Sequence, residues 1–309
     1  MRRFLALSRS VHGVLDIAMP GFVALLWLGH FPSWQVLALC LVTALAGYTA
    51  IYALNDLIGV KDDKEKVAGG ITPGYAVEAS AMRYPLAQNL VSMKGALAWF
   101  GFWFALAVLG TWLLNPKILL IVFAAAALEV LYVKLLKVTW WRTVISGLVK
   151  SAGPVAAVFA VIPAPPWSGL LGMLIWLMLW EIGGQNIPAD WNDIEEDRRI
   201  GARTIPLVFG LRAASMLVAI SLGLTVLASL LLPRMSPLAP GWPFQLVILA
   251  AGAGLLLPPA IQLARTLDGR QAARLFDRAS LYPLALLAIV TAFVLIRRDA
   301  VGFPSRRGS

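Results

Sequence analysis

The feature that most constrains this chain is a succession of nine apolar runs, each close to the roughly 20 residues that a helix needs to cross a bilayer. They occupy residues 14–29, 34–58, 96–114, 117–136, 143–162, 168–187, 213–232, 244–264 and 280–296. In hydrocarbon every backbone polar group must find its partner within the protein, so runs of this kind fold as helices. The sequence therefore predicts an all-α fold, a polytopic membrane protein with a bundle of nine transmembrane helices forming one domain over 1–309. Composition supports this: 60% of the residues are hydrophobic and 14% are charged, against roughly 25% charged in soluble domains. An ordinary soluble enzyme, a disordered chain and a coiled coil are all excluded. The one cysteine, Cys40, lies in an apolar run, which leaves no disulfide framework and no multi-thiolate metal site.

The net charge of +10 would suggest nucleic acid in a soluble protein. Here the basic residues fall mostly in short loops between apolar runs, and no nucleic-acid partner is expected. With nine spans and the N-terminus in the cytoplasm, nineteen of the 26 Lys and Arg residues fall on the cytoplasmic side and six on the other, with Lys150 inside a span. That asymmetry predicts a cytoplasmic N-terminus. The basic tail with Arg297, Arg298, Arg306 and Arg307 runs against it. Arg2 and Arg3 followed by an apolar run resemble a secretory leader, but the small-residue stretch Ala44-Leu45-Ala46 lies inside the second run, so no cleavage is expected.

Chemistry is expected where acidic clusters meet the membrane face. In Gln185-Asn186-Ile187-Pro188-Ala189-Asp190-Trp191-Asn192-Asp193-Ile194-Glu195-Glu196-Asp197-Arg198-Arg199, the residues Asn186, Asp190, Asp193 and Asp197 are spaced by four, three and four. In a helix they share one face. Stacked like charges repel, so this spacing points to a bound cation, and oxygen ligands without His or Cys suit Mg²⁺. A second cluster ends the second apolar run, with Asn55, Gly59 and Asp63 four apart and Asp56 and Asp63 seven apart. Both clusters end spans on the same predicted side, four spans apart. Facing each other, they would hold Mg²⁺ ions that bridge a diphosphate.

At these residues the chain resembles the UbiA superfamily of intramembrane prenyltransferases. The family's second Asp-rich motif, D-x-x-D-x-x-x-D, is matched by Asp190, Asp193 and Asp197, and the following D-R-x-x-G-x-R-T-x-P by Asp197 to Pro206. The first motif, N-D-x-x-D-x-x-x-D, is matched at Asn55, Asp56 and Asp63, but Gly59 stands where the family's middle Asp belongs. Arg83-Tyr84-Pro85-Leu86 and the stretch from Tyr132 to Lys137 resemble two further landmarks. The resemblance implies a Mg²⁺-assisted transfer of a prenyl group from an allylic prenyl diphosphate to an aromatic or other lipophilic acceptor in the membrane lipid. It implies metal ligands at Asn55, Asp56, Asp63, Asp190, Asp193 and Asp197, and catalytic roles for Tyr132, Lys137 and Arg203. Substrate contacts are expected from Arg83, Lys134, Arg142, Asn186 and Arg198. Lys150, Glu129 and Glu181 lie deep in spans, where ionisable groups are costly and usually functional. A transporter using them as a relay, and an altered isoprenoid-binding member of the superfamily, are the competing readings.

Overall fold

A computed structural model describes residues 1–71 and 82–302 and is helical, with no strand among the described residues. The helices are α1 (Arg2–Leu7), α2 (Ser10–Asp16), α3 (Ala18–Leu28), α4 (Trp34–Ala68), α5 (Met93–Leu114), α6 (Ile118–Lys134) and α7 (Arg142–Val161). There follow α8 (Trp167–Trp180), a π-helical turn (Glu181–Asn186), α9 (Ile187–Asn192), α10 (Ile194–Arg199) and α11 (Ile205–Ala228). A 3₁₀ segment (Ser229–Met235), α12 (Gly241–Thr266) and α13 (Gly269–Gly302) complete the bundle. Arg306 and Arg307 of the basic tail lie outside the described residues, as does part of the loop after α4.

Each of the nine apolar runs lies on helix, though not all at full spanning length. Among the described residues seven helical stretches are long and apolar enough to cross a membrane. The first run gives only a shorter apolar stretch, His12–Leu28, because α2 and α3 are separate helices that meet at Ile17. The fourth gives the 17-residue α6, which ends at Lys134. The second helix is longer than its apolar run. Ser33 caps it, its Oγ accepting from the Val36 N–H at 3.4 Å, and it continues unbroken through the charged stretch to Ala68. The first acidic cluster thus stands on a rigid helix and not in a loop.

The core lies between α3, α8, α11, α12 and α13, around the fully buried Trp176, Trp180, Tyr282, Phe22 and Phe244. The two indoles also satisfy their N–H groups there, Trp176 donating to the Thr225 carbonyl at 3.1 Å and Trp180 to that of Ala279 at 3.2 Å. Large apolar side chains such as Leu120, Phe102 and Leu227 are exposed on the outside of the bundle, as a lipid-facing surface requires. Trp34, Trp112, Trp167 and Trp242 are exposed near helix ends opposite the acidic clusters, in the manner of an interfacial aromatic belt. α11 is bent at Gly210, whose φ of +81° is a conformation that other residues rarely adopt.

Candidate active site

A cavity of about 690 Å³ runs from the acidic clusters into the apolar interior of the bundle. From α4 it is lined by Asn55, Gly59, Asp62, Asp63 and Lys66, and from the opposite wall by Asn186, Asp190, Asp193 and Asp197. The two clusters therefore share one cavity. The deeper wall is apolar, with Leu37, Phe104, Ile121 and Leu287 among its residues.

The second cluster is not one helix. The π-turn carries its first residue, Asn186, and the helix breaks at Asp193, whose φ and ψ are −97° and 8°. Asp193 nevertheless stays on the cavity wall, because its carbonyl accepts from the Asp197 N–H at 2.8 Å and the next helical turn starts from there. Every carboxylate of this cluster meets a base. Arg142 Nη1 lies 3.0 Å from Asp190 Oδ1, both buried. Arg83 Nη2 is 2.7 Å from Asp193 and 3.1 Å from Glu196. Lys66 Nζ is 2.7 Å from Asp197, and both are nearly inaccessible. Burial pushes the Asp197 carboxyl above the usual carboxylate range, and Lys66 opposes that. Tyr84 has a φ of +55°, a strained position for an aromatic residue. Its hydroxyl accepts from Arg83 and donates to Glu196, each at 2.7 Å. Arg199 donates to the carbonyls of Gly69 and Gly70, tying the end of α4 to α10.

On the facing side, Tyr132 and Arg142 form a unit. The guanidinium lies 4.0 Å above the ring, and the tyrosine hydroxyl accepts from Asn186 Nδ2 at 3.1 Å. Asn55 donates to Glu129 at 2.5 Å.

Several expected site residues stand elsewhere. Asp56 is buried behind Arg9, which lies 3.8 Å from it and itself lines the cavity, so this carboxylate is turned away from the shared space. Lys137 is half-exposed and holds Asp62 at 2.8 Å and Glu65 at 2.6 Å, which raises its pKa. Lys134 and Arg203 are exposed and outside the cavity lining. Arg203 contributes its backbone N–H to the Leu136 carbonyl at 2.7 Å. Arg198 pairs with Glu195 on the surface. Gly59 lies inside α4, which continues nine residues further.

Sequence reasoning singled out neither Lys66 nor Arg9, and it gave Glu196 no role. Lys66 had a readable signal, since 55, 59, 62 or 63, and 66 follow helical spacing on one face. Glu196 had none, because its partners come from a segment more than a hundred residues away.

Among the described residues no group of three or more His, Cys, Asp or Glu stands at metal-holding spacing. The donor set still fits Mg²⁺. It is oxygen-only, and Asn186 Oδ1 and Asp190 Oδ2 are buried without a hydrogen-bond partner on residues that line the cavity. Buried oxygens of this kind are costly unless something else meets them.

Fold and site together define a helical membrane protein that sets two oxygen-rich clusters at the mouth of an apolar chamber. The sequence matches the profile of the UbiA prenyltransferase family over residues 17–295, and the chain belongs to that family of membrane prenyltransferases. It is similar to digeranylgeranylglyceryl phosphate synthase of Pyrococcus abyssi, 29% identical over 202 residues that cover 65% of this chain and 66% of that protein. The chain thus spans just under two thirds of the length of that relative. Solved structures share the fold, among them two at TM-scores of 0.68 and 0.67. One is the apo UbiA homologue of Aeropyrum pernix (TM-score 0.68, 19% identity, 93% of this chain and 98% of that one). The other is the Archaeoglobus fulgidus homologue bound to DMAPP and Mg²⁺ (TM-score 0.67, 17% identity, 94% and 99%).

Proposed function

We propose that this prenyltransferase moves a prenyl group from an allylic prenyl diphosphate to a lipophilic acceptor at the cytoplasmic membrane face, with Mg²⁺ as cofactor. One observation carries the reading: the Asn55 and Asp63 face and the Asn186, Asp190, Asp193 and Asp197 face line one cavity that continues into apolar surroundings.

Asp190, Asp193, Asp197 and Asn186 would hold Mg²⁺ on one side, and Asn55 and Asp63 on the other. When bound, the metal neutralises diphosphate charge and makes it a better leaving group. Lys66, Arg83 and Arg142 already neutralise these carboxylates, and Lys66 and Arg142, which line the cavity, are placed to receive diphosphate oxygens. Arg142 is held over Tyr132, so its guanidinium is oriented before substrate arrives. Tyr132 also lines the cavity, where its ring would stabilise positive charge developing on the allylic carbon. The apolar wall accommodates the isoprenoid tail and keeps water from the reacting carbon. The Archaeoglobus homologue, seen with DMAPP and Mg²⁺, supports this donor class. The test is incubation of the purified protein with Mg²⁺ and prenyl diphosphates of several lengths. Diphosphate release that requires Mg²⁺ and falls in Asp190→Asn is expected. A wild-type protein that consumes none of the donors, with or without acceptors, overturns the proposal.

A further inference from the structure

Below the diphosphate-facing residues the cavity holds a second set of polar groups. We infer that the end of the acceptor entering this chamber is a neutral hydroxyl, and that Glu181 receives it. The inference rests on the prenyl-transfer reading above and names the class of its second substrate.

Glu181 opens the π-turn, lines the cavity and is only 5% exposed. Its Oε1 accepts from Ser146 Oγ at 2.8 Å, while its Oε2 is buried without a hydrogen-bond partner. A buried carboxylate oxygen left in that state needs a ligand to meet it, and π-turns recur at functional sites. Glu181 precedes Asn186 by five residues, so it stands little more than one turn below the proposed diphosphate site, within reach of an acceptor that meets the donor's first carbon.

The charges around it select the ligand. Glu129, on the same cavity, is held by the neutral amide of Asn55, as Glu181 is held by a neutral hydroxyl. The cations of the chamber already face carboxylates. Lys150 Nζ lies 2.7 Å from Asp16 and 2.9 Å from the Tyr52 hydroxyl, with His12 beside them at 3.4 Å, and Arg9 lies 3.8 Å from Asp56. A carboxylate on the acceptor would enter a region with an acidic excess and be repelled. A hydroxyl donates to Glu181 Oε2 and satisfies it.

The experiment uses the full chain in detergent and two probes that differ only in the group at issue, 4-nonylphenol and 4-nonylbenzoate. Their dissociation constants are read by intrinsic tryptophan fluorescence in wild type, Glu181→Gln and Glu181→Ala. The wild type is expected to bind the phenol about tenfold or more tightly than the benzoate, and Glu181→Ala to weaken the phenol by about tenfold, as for a lost hydrogen bond to a charged group. Glu181→Gln, which keeps an acceptor oxygen but no charge, is expected to retain the phenol and to bind the benzoate more tightly than wild type does. Equal phenol binding in wild type and Glu181→Ala overturns the inference. So does a wild type that prefers the benzoate, or a Glu181→Ala protein that loses both probes alike, which is the mark of a merely structural role. Diphosphate release is measured on the same preparation. Its absence overturns the prenyl-transfer reading and this inference with it, whereas release with undiscriminated probes overturns this inference alone.

Discussion

Asp193 and Glu195 are two positions apart and carry the same charge, yet they face different surroundings. Asp193 lines the cavity and holds Arg83, while Glu195 is 59% exposed and holds Arg198 at the surface. Asp193→Ala is therefore expected to lower kcat by about a hundredfold or more, since loss of the metal ligand proposed here removes several kcal/mol of transition-state stabilisation. Glu195→Ala should stay within about twofold, because surface pairs contribute little. Equal residual rates in a prenyl-transfer assay would count against the assignment. Gly59 carries a second prediction. A Cβ there would meet Asp63 Oδ2 and Val133 Cγ1 at 3.5 Å, ordinary contact distances, so the family's missing carboxylate has room. Asp56 faces Arg9, which leaves Asp63 and Asn55 as the cavity-facing oxygens of the first motif, with Asp62 engaged by Lys137. Fewer carboxylates hold Mg²⁺ less well. Calorimetric titration with Mg²⁺ and geranyl diphosphate should show one tight site in wild type and a strengthened second site in Gly59→Asp. Two equally tight sites in the wild type would sink this account.

At the scale of the element, the π-turn decides how the second cluster meets the cavity. Its wider hydrogen-bonded ring changes the helical phase between α8 and α9. Two glycines let it pack where it does. A Cβ on Gly183 would come within 2.8 Å of Ser221 Cβ, and one on Gly184 within 2.9 Å of Ala279 Cβ. Real Cβ atoms do not approach so closely, so Gly183→Ala must push the turn away from α11. The expected cost is about 1–3 kcal/mol, as for other overpacked cores, read as a lower thermal midpoint in detergent. Because Asn186 and Asp190 ride on the same segment, donor binding should weaken in parallel. An unchanged midpoint would show that the contact yields more easily than its geometry indicates.

For the whole molecule, orientation is expected to follow charge. The ends of α4, α6 and α9 and the starts of α5 and α7 lie on the side with most of the basic residues, and the exposed tryptophans Trp34, Trp167 and Trp242 lie on the other. With Cys40→Ala as background, Lys94→Cys is expected to be shielded from a membrane-impermeant thiol reagent added outside intact cells. Trp167→Cys is expected to react. The reverse pattern would place the active site on the outer face.

How much of this was legible depends on the range of the interactions involved. The class of fold needed no tertiary contact to be read, because a bilayer leaves helices as the solution for long apolar runs, and hydrophobic run length is a local property. The sequence also marked the two acidic clusters that line the cavity, since carboxylates at helical spacing next to such runs are costly without a counter-charge. Lys66 belonged to the same readable pattern. The partner of each charge, by contrast, came from packing between distant segments. Asp56 shares its helix with Asp63, and only the approach of Arg9 from the N-terminal side of α2 turns it out of the site. Lys137 lies beyond the end of α6 and reaches Asp62 and Glu65 across to α4, while Arg142 begins α7 and enters the buried site at Asp190. Arg203, three residues before Pro206 in the same motif, is held outside the cavity where its backbone N–H bonds to Leu136. Side-chain direction at a helix end depends on how that end packs against distant segments, and spacing along the chain carries no information about that.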